Sequence, residues 1–235
     1  MTLDVAVLIP ALDEEGALPD VLAALPRAGE GYRVREIVVV DNGSTDRTAE
    51  VARAAGATVI AELQRGYGTA CLAGIAYLRS RPPEVVVFLD ADGSDDPSEL
   101  GVLLAPIVIG KSQLVIGSRV LGAREAGALT PVQHFGNVFA AFLMRMLFKG
   151  RFTDLGPFRA IRWDSLEPLA MRDRDYGWTV EMQARALRAG LACNEVPVRY
   201  RRRRHGRSKV SGTLRGVWGA GTKILSTIVR VRLGG

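Results

Sequence analysis

Short apolar runs, each bounded by turn residues, recur through the first half of the chain. Their length and their content of β-branched residues predict buried strands rather than helices. The runs lie at Val5–Pro10, Glu36–Asp41, Thr58–Ala61, Val85–Asp90 and, more briefly, Leu114–Gly117. Pro10 is expected to end the first of these strands, because proline has no N–H to give to a sheet.

Helical patterns separate the predicted strands. Apolar residues recur at helical spacing over Leu18–Leu25, Arg47–Ala55, Thr69–Arg79 and Ser98–Val108. Ser44 or Thr45 is expected to cap the second of these helices. This alternation with short connections predicts an α/β fold with a doubly wound, mostly parallel sheet. Gly66 and Gly68 precede a helix but lack the third glycine of a dinucleotide-binding loop, so a nicotinamide or flavin dinucleotide is not expected.

The alternation ends after residue 118. A broad apolar stripe at helical spacing over Phe135–Leu147 is interpreted as core, with pairing to a second copy of the chain as an alternative. Further elements are expected at Gly156–Ile161 (strand), Trp178–Leu187 (helix) and Asn194–Tyr200 (strand). A final amphipathic helix, carrying basic residues, is expected to pack on the core; contact with a membrane surface is the less common alternative.

Charge is distributed unevenly. The net charge is +6, but residues 199–235 hold 11 of the 31 Lys and Arg and none of the Asp and Glu. The rest of the chain therefore has 20 basic and 25 acidic residues. A basic tail on an acidic body favours an anionic partner, such as phosphate, a lipid surface or nucleic acid.

The length of 235 residues fits a main domain at 1–210 with a C-terminal helical appendage at 211–235. Cys71 and Cys193 are too few and too far apart for a disulfide scaffold, which favours a reducing compartment. Neither a signal peptide nor a membrane-spanning helix is expected. The expected location is cytoplasmic, with peripheral attachment to the inner face of the membrane as an alternative.

Acidic clusters follow three of the predicted strands: Asp13–Glu15, Asp41 and Asp90–Asp92. In a doubly wound sheet these strand ends share one crevice, where ligands bind. Mg²⁺ characteristically takes one or two protein carboxylates and completes its shell with water and phosphate. We therefore predict a metal site for a phosphorylated ligand; the alternative is a solvated loop that caps the helix beginning near Pro97.

The motifs, in their order along the chain, resemble those of inverting family 2 glycosyltransferases with the GT-A fold. They are most similar to the dolichyl- and polyprenyl-phosphate sugar synthases. The matching segments cover most of the chain: IPALDEEG at 9–16, VVVDNGSTDRT at 38–48, GYGTA at 66–70, FLDADGSDDP at 88–97, IGSR at 116–119, TDLGPFRAI at 153–161 and R-x-x-G-x-S-K at 203–209.

The resemblance implies a role for each motif. The nucleotide pocket is expected to include Pro10, Ala11, Glu14 and Asp41, with Asp41 accepting hydrogen bonds from the base or ribose. Asp90 and Asp92, with Ala91 between them, are expected to hold Mg²⁺ or Mn²⁺ against the donor diphosphate. The groups expected to contact phosphate oxygens are Arg119, Arg203 and Lys209.

Asp154, Asp92 and Arg119 are the expected catalytic residues. Asp154 matches the acidic residue before the family's G-x-F element, where it serves either as a general base for an acceptor hydroxyl or as a ligand-binding group. A structural cap is the alternative for Asp154. Glu181 is a competing base, although a solvent-facing glutamate on a helix is the more common case.

The leading hypothesis is a metal-dependent transfer of a hexose from a UDP- or GDP-sugar to a polyprenyl phosphate. The relatives with that acceptor often carry C-terminal membrane spans, and this chain has none, which motivates a soluble hydroxyl acceptor as the alternative. A nucleic-acid-binding protein acting through the arginine-rich stretch is a remote third, because that stretch lacks interleaved stacking aromatics. The base, the sugar and the oligomeric state, including a homodimer, stay open.

Overall fold

The protein is described from a computed structural model that covers residues 2–203, 205 and 214–234, with side chains at all of these except 133 and 214–220. Among these residues no helix combines the length and the apolar character needed to cross a bilayer.

One mixed sheet organises the described chain. Its strands are β1 Leu3–Ala11, β2 Ala28–Gly29, β3 Tyr32–Asp41, β4 Thr58–Ala61, β5 Val85–Phe88, β6 Leu114–Ser118, β7 Arg159–Arg162 and β8 Cys193–Pro197. The spatial order is β2-β3-β1-β5-β7-β6-β8, and β4 also pairs with β3. The pairs β1–β3, β1–β5, β3–β4 and β6–β8 are parallel, as predicted for a mostly parallel sheet.

The helices are α1 Leu18–Ala24, α2 Thr48–Ala54, α3 Tyr67–Leu78, α4 Leu100–Val108, α5 Pro131–Phe148, α6 Trp163–Leu166, α7 Trp178–Arg188 and α8 Leu214–Leu233. Apolar side chains of α1 and α4 pack on one face of the sheet, and those of α3, α6 and α7 pack on the other. A separate apolar cluster joins α5, α7 and α8. The expected fold class therefore describes the architecture correctly.

Pro10 does not end the first strand, contrary to the expectation. Pro10 pairs with Val40, and Ala11 pairs with Asp41. The Leu8 carbonyl accepts from the Leu89 amide, so the backbone groups of alternate residues in β1 face β5. Strand β5 ends beside Leu8 and does not extend to Pro10. An N–H at residue 10 would therefore have found no acceptor in β5, and proline is tolerated there.

Strand β7 is antiparallel to both of its neighbours, β5 and β6. Arg159 at its start lies beside Phe88 of β5 and Ile116 of β6. The residues that precede β7 therefore lie at the edge where β5 and β6 end. The antiparallel direction of β7 thus places Asp154 near the acidic cluster.

The helix caps differ from the expectation as well. Neither Ser44 nor Thr45 caps α2; its first turn is preceded by Asp46, whose carboxylate accepts from the Thr48 amide at 2.9 Å. Downstream, Asp96 accepts from the Ser98 amide at the start of a short 3-10 turn that leads into α4. The capping role considered for the acidic cluster thus belongs to Asp96.

The apolar stripe of α5 is not core, which corrects the interpretation from sequence. The side of α5 that faces the protein carries Asn137, Ala140, Ala141 and Met144, all buried. The opposite side exposes its large apolar residues: Val132, Phe135, Val138, Phe139, Phe142, Met146 and Leu147. Periodicity identified the helix but did not distinguish its inner side from its outer side.

Candidate active site

The carboxyl ends of β1, β3, β5 and β6 lie at one edge of the sheet, because these strands run in the same direction. The loops that follow them carry most of the polar residues predicted to form the site. The crevice beyond such an edge is where α/β proteins bind their ligands.

Two of these loops are joined by hydrogen bonds to form a wall. The Asp13 amide donates to Ser44 Oγ at 3.0 Å, and the Thr45 amide donates to Asp13 Oδ1 at 2.7 Å. The Glu14 amide donates to Thr48 Oγ1 at 2.8 Å. At the end of β3, Asp41 Oδ1 accepts from the Ser44 amide at 3.0 Å. The predicted nucleotide-binding residues of β1 and β3 are thus brought together on one wall.

A second group of carboxylates follows β5. Asp90 Oδ1 and both carboxylate oxygens of Asp95 are buried without a hydrogen-bond partner among the described residues. Burial, and then the charge of Asp92, raise the pKa of Asp90 to about 7. Burial, and then the charge of Asp90, raise the pKa of Asp95 well above its ordinary value. Enclosed carboxylate oxygens that lack a partner among the described residues are expected to attract a cation.

Asp95 was not singled out from the sequence. It lies within the acidic run GSDDP, where nothing in the pattern separates the buried Asp95 from the neighbouring cap Asp96. The structure distinguishes them: Asp95 is 1% exposed and forms an isolated bridge with Tyr200. The partner lies in a distant segment, which no local pattern identifies.

Arg203 joins the two acidic groups. Its Nη1 lies 2.7 Å from Glu14 Oε1, and its Nη2 lies 2.8 Å from Asp92 Oδ2. Burial opposes the charge of Arg203, but the carboxylates of Asp92 and Glu14 raise its pKa above the ordinary value. The guanidinium is therefore a fixed positive charge at the mouth of the crevice. Lys209, predicted to act beside it, lies outside the described residues.

The segment that leads to Arg203 crosses the edge of the sheet after β8. The Tyr200 amide donates to the Ala123 carbonyl, and the Arg201 amide donates to the Ser94 carbonyl at 2.7 Å. The Arg201 guanidinium lies 2.6 Å from Asp96, and that of Arg199 lies 2.9 Å from Glu99. These arginines are thus engaged with the protein's own carboxylates. An open cavity of about 240 Å³ lies beside them, lined by residues 123–125 and 199–201.

Arg119 and Asp154 form a two-pronged ion pair. Arg119 Nε donates to Asp154 Oδ2 at 2.8 Å, and Nη2 donates to Oδ1 at 2.7 Å. The Arg119 amide adds a third bond to Oδ2 at 2.7 Å. Burial acts to raise the pKa of Asp154, but the charge and hydrogen bonds of Arg119 hold it below its ordinary value. The guanidinium also lies over the ring of Tyr200, 5.0 Å from its centroid.

The backbone around Asp154 is held from several sides. The amides of Thr153 and Asp154 both donate to the Glu195 carboxylate of β8. Gln183 of α7 donates to the Asp154 carbonyl at 2.9 Å. Asp154 itself is fully buried. The carboxylate is therefore fixed in place, with both oxygens already occupied by Arg119.

Glu181 is not a solvent-facing residue, which corrects that interpretation. It is fully buried on α7 and accepts from the amides of Arg172 and Asp173 at 3.0 and 2.7 Å. Its other oxygen accepts from Arg185 at 2.9 Å. These contacts hold the loop before α7, so the carboxylate has a structural task in this conformation.

That loop lies against the GYG motif at the start of α3. The Thr69 amide donates to the Arg174 carbonyl at 3.0 Å. A Cβ atom on Gly68 would overlap the Asp173 carbonyl oxygen, and one on Gly66 would overlap that of Arg174. The glycines therefore permit a close backbone contact rather than a dinucleotide loop. The contact places the Tyr67 hydroxyl near enough to Asp90 to influence its pKa.

The carboxylates after β5 fit a hard divalent cation. They supply oxygen donors, and a cation would relieve the repulsion that raises the pKa of Asp90. No cluster of three or more His, Cys, Asp or Glu with the geometry of a metal site occurs among the described residues.

Comparison with known proteins decides the family. The model of the family described as Glycosyl transferase family 2 matches residues 6–169, which include the wall and the acidic cluster. The chain belongs to glycosyltransferase family 2. This glycosyltransferase is therefore an enzyme that transfers a sugar, as the motifs predicted.

Several relatives cover nearly the whole chain. An uncharacterized glycosyltransferase of Mycobacterium tuberculosis is 41% identical over 213 residues, 90% of this chain and 92% of the relative. The undecaprenyl-phosphate mannosyltransferase of Micrococcus luteus is 32% identical over 90% of this chain and 89% of its own. The polyprenol monophosphomannose synthase of Mycolicibacterium smegmatis is 30% identical over 88% of this chain and 81% of its own.

Solved structures confirm the fold. A crystal structure of glucosyl-3-phosphoglycerate synthase from Mycobacterium tuberculosis, in complex with Mn²⁺, UDP-glucose and phosphoglyceric acid, superposes with a TM-score of 0.75. It is 24% identical and covers 98% of this glycosyltransferase and 80% of its own chain. The GT-A assignment is thereby confirmed.

Proposed function

We propose that this enzyme moves a hexose from a nucleotide-diphosphate sugar to a polyprenyl phosphate, with Mg²⁺ or Mn²⁺ at the acidic cluster. The observation that carries the proposal is the junction at Arg203, which connects Glu14 of the wall to Asp92 of the cluster. A diphosphate bound between the wall and the cluster would meet a fixed guanidinium and, through a divalent cation, a pair of carboxylates.

The residues proposed to bind the donor lie in two places, the wall formed by the loops after β1 and β3 and the acidic cluster after β5. Pro10, Ala11 and Glu14 would line the nucleotide pocket, and Asp41 would accept hydrogen bonds from the base or ribose. In the acidic cluster, Asp90 and Asp92 would hold the cation, with Ala91 between them. The cation would supply Lewis-acid stabilisation of the departing nucleoside diphosphate. The glucosyl-3-phosphoglycerate synthase complex, which contains Mn²⁺ and UDP-glucose, supports this kind of donor site.

The geometry of Asp154 favours an acceptor that arrives already ionised. A general base needs a free oxygen and a pKa near the working pH. Asp154 is poorly suited to that role, because each of its oxygens already accepts from Arg119 and the charge of Arg119 holds its pKa below the ordinary value. A phosphate acceptor needs no base, since its oxygen is already anionic. Asp154 would then act by positioning Arg119, whose guanidinium lies over the ring of Tyr200.

The names of two relatives support the same acceptor class. One acts as an undecaprenyl-phosphate mannosyltransferase and the other as a polyprenol monophosphomannose synthase. The cavity beside Tyr200 is lined by Arg124, at which an acceptor phosphate could bind, together with Glu125 and with Arg199 and Arg201, which are paired with Glu99 and Asp96. The donor base and the sugar are left to experiment.

A soluble hydroxyl acceptor is the second candidate. It is favoured by Asp95, a buried carboxylate whose two oxygens have no hydrogen-bond partner among the described residues and whose pKa is raised by burial, so that it could accept a proton from a hydroxyl. Replacing Asp95 by Asn separates the two candidates. Transfer to a hydroxyl would fall by 10²-fold or more, whereas transfer to a phosphate would change far less.

The proposal is tested by incubating the protein with Mn²⁺ or Mg²⁺, UDP- and GDP-hexoses and a short-chain polyprenyl phosphate. Release of nucleoside diphosphate that requires both the metal and the acceptor is the expected result. D92N should lose activity by at least about 10²-fold. D164N is the matched control, because Asp164 forms an exposed ion pair with Arg162, away from the crevice. Absence of release with every donor would refute the proposal.

A further inference from the structure

The outer face of α5 is a continuous apolar surface, here called the α5 outer face. It consists of Val132, Phe135, Val138, Phe139, Phe142 and Met146, each at least 41% exposed. Phe135 and Phe139 stack on each other with ring centroids 6.3 Å apart. Elsewhere among the described residues, exposed apolar side chains are fewer on each element: Leu63 follows β4, and Val102 and Ile109 lie on α4 and at its C-terminal cap. A concentrated patch of this kind marks an interaction surface.

Charge identifies the partner. Residues 126–153 contain no Asp or Glu, and Arg145, Lys149 and Arg151 in this stretch are all exposed. Bulky apolar side chains on one side of a helix, in a stretch whose charged residues are all basic, match the surface of an anionic bilayer. A second copy of the chain fits less well. A twofold interface would bring the same basic residues together without a carboxylate from this stretch.

The described part of α8 is divided between core and solvent. Ile228 and Val231 are buried in the cluster with α5 and α7, whereas Val229 and Leu233 are exposed. Among the described residues, α5 exposes more apolar side chains than α8 does. The membrane contact considered from the sequence for the last helix stays a prediction, because it includes Val217 and Trp218, whose side chains lie outside the described ones.

We propose that the α5 outer face docks the enzyme on an anionic lipid bilayer. The site is directly connected to this face. Asn137, on the inner side of α5, accepts from the Leu155 amide at 2.9 Å and donates to the Thr153 carbonyl at 3.1 Å. These two residues flank Asp154. A helix lying on the bilayer would therefore hold the crevice beside the membrane surface, where the proposed polyprenyl-phosphate acceptor resides; this last step rests on the proposed function.

Vesicle flotation without nucleotide or metal tests the docking. Wild-type protein is expected to float with vesicles containing phosphatidylglycerol and much less with phosphatidylcholine alone. The triple variant F135S/F142S/M146S should bind at least about tenfold more weakly. The variant R145Q/K149Q/R151Q should lose the preference for the anionic lipid. The matched control is L63S/V102S/I109S, which removes three exposed apolar side chains outside α5 and should bind as the wild type does.

The outcomes are distinct. If the triple variant binds vesicles as the wild type does, or if it converts a dimer into a monomer with vesicle binding unchanged, the proposal is wrong. If the triple variant does not fold, the single variant M146S takes its place, because Met146 is 66% exposed. Its binding to the vesicles should be weaker than that of the wild type, by less than in the triple variant. Transfer to a short-chain acceptor in solution should be unchanged in the triple variant. A wild type that binds vesicles yet transfers to no polyprenyl phosphate would refute the proposed function but not the docking.

Discussion

Individual side chains at the crevice are held in two opposite electrostatic states. Asp154 is fully paired with Arg119, and its pKa is lowered. Asp90 is half-buried beside another carboxylate, and its pKa is raised to about 7. The first arrangement stabilises the folded protein, whereas the second destabilises it until a cation binds. The two carboxylates therefore respond differently to substitution and to pH.

Replacing Asp154 by Asn should destabilise the fold, because Arg119 would remain buried without its partner. Breaking a buried pair in this way costs about 3–5 kcal/mol. The control D164N removes one member of an exposed pair and should cost about 1 kcal/mol or less. Urea unfolding measures both. Equal losses in the two variants would contradict the importance of the Arg119–Asp154 pair.

The pH dependence of this loss has a definite sign. A lowered carboxyl pKa contributes stability that is complete above the unfolded pKa of about 3.9 and that disappears as the pH falls through the folded pKa. The advantage of the wild type over D154N should therefore be constant from neutral pH down to about pH 4 and shrink below that. An advantage that vanished already near pH 6 would contradict the lowered pKa.

Replacing Asp90 by Asn should have the opposite effect in the absence of metal. A raised carboxyl pKa penalises folding by an amount that grows from the unfolded pKa, about pH 4, and is complete above the folded pKa, about pH 7. With a chelator present, D90N should be more stable than the wild type at pH 8 by about 2–4 kcal/mol, and the gain should fade toward pH 4. Thermal unfolding at the two pH values measures it.

Added Mn²⁺ should reverse this order. The cation should raise the melting temperature of the wild type and leave that of D90N nearly unchanged, because only the wild type keeps the full pair of carboxylates. A similar rise in both proteins would mean that the metal binds elsewhere.

At the scale of elements, the start of α3 depends on glycine. A Cβ at Gly68 would overlap the Asp173 carbonyl oxygen, whereas nothing lies within 4 Å of a Cβ built at Gly136 of α5. G68A should therefore separate α3 from the loop before α7 and reduce donor binding. G136A should instead be neutral or stabilise the fold by up to about 1 kcal/mol. Melting temperatures and nucleotide titrations of the two variants test this. Equal melting temperatures and equal nucleotide affinities in G68A and G136A would contradict the close contact at Gly68.

The elements themselves were largely predictable from sequence, because buried strands require continuous apolar runs and helices require periodic ones. β4, at Thr58–Ala61, agrees with the prediction at both ends. The direction of β7 was not predictable, since it depends on pairing with β5 and β6 across long stretches of chain. The ion pair of Arg119 with Asp154 follows from that pairing, and so no local pattern contained it.

For the α5 outer face, the sequence predicted the helix but not which of its sides is buried. The periodic pattern of Phe135–Leu147 predicted a helix correctly, but its apolar side was assigned to the core. The core instead uses the small residues Ala140 and Ala141, which allow the helix to approach its neighbours. Hydrophobicity alone does not identify which surface covers an apolar side.

For the whole molecule, the buried carboxylate of Asp173 connects the C-terminal helix to the site. It accepts from Thr227 at 3.1 Å and lies 3.2 Å from Arg230 and 3.3 Å from Lys223, all on α8. Burial acts to raise the pKa of Asp173, but the Asp175 amide, Lys223 and Thr227 hold it below its ordinary value. The loop that contains Asp173 also packs against Gly68. Helix α8 is therefore connected to the start of α3 through Asp173.

Replacing Asp173 by Asn should weaken this connection and lower stability by roughly 1–3 kcal/mol at pH 7. Asp175→Asn, two residues away, is the matched control. Burial and the charge of Asp173 raise the pKa of Asp175, so removing its charge should be neutral or favourable. Calorimetric unfolding compares the two. A greater loss in D175N than in D173N would contradict the role of Asp173.

In the proposed donor site, Asp90 and Asp92 would hold a divalent cation, and a nucleoside diphosphate would bind between this cation and Arg203. Calorimetric titration of UDP and GDP into the wild type, D92N and R203Q, each with Mn²⁺ and with a chelator, tests it most directly. At least one nucleotide should bind the wild type only with Mn²⁺, and both variants should bind it at least about tenfold more weakly. Binding of equal strength with and without the metal, and in all three proteins, would contradict the claim.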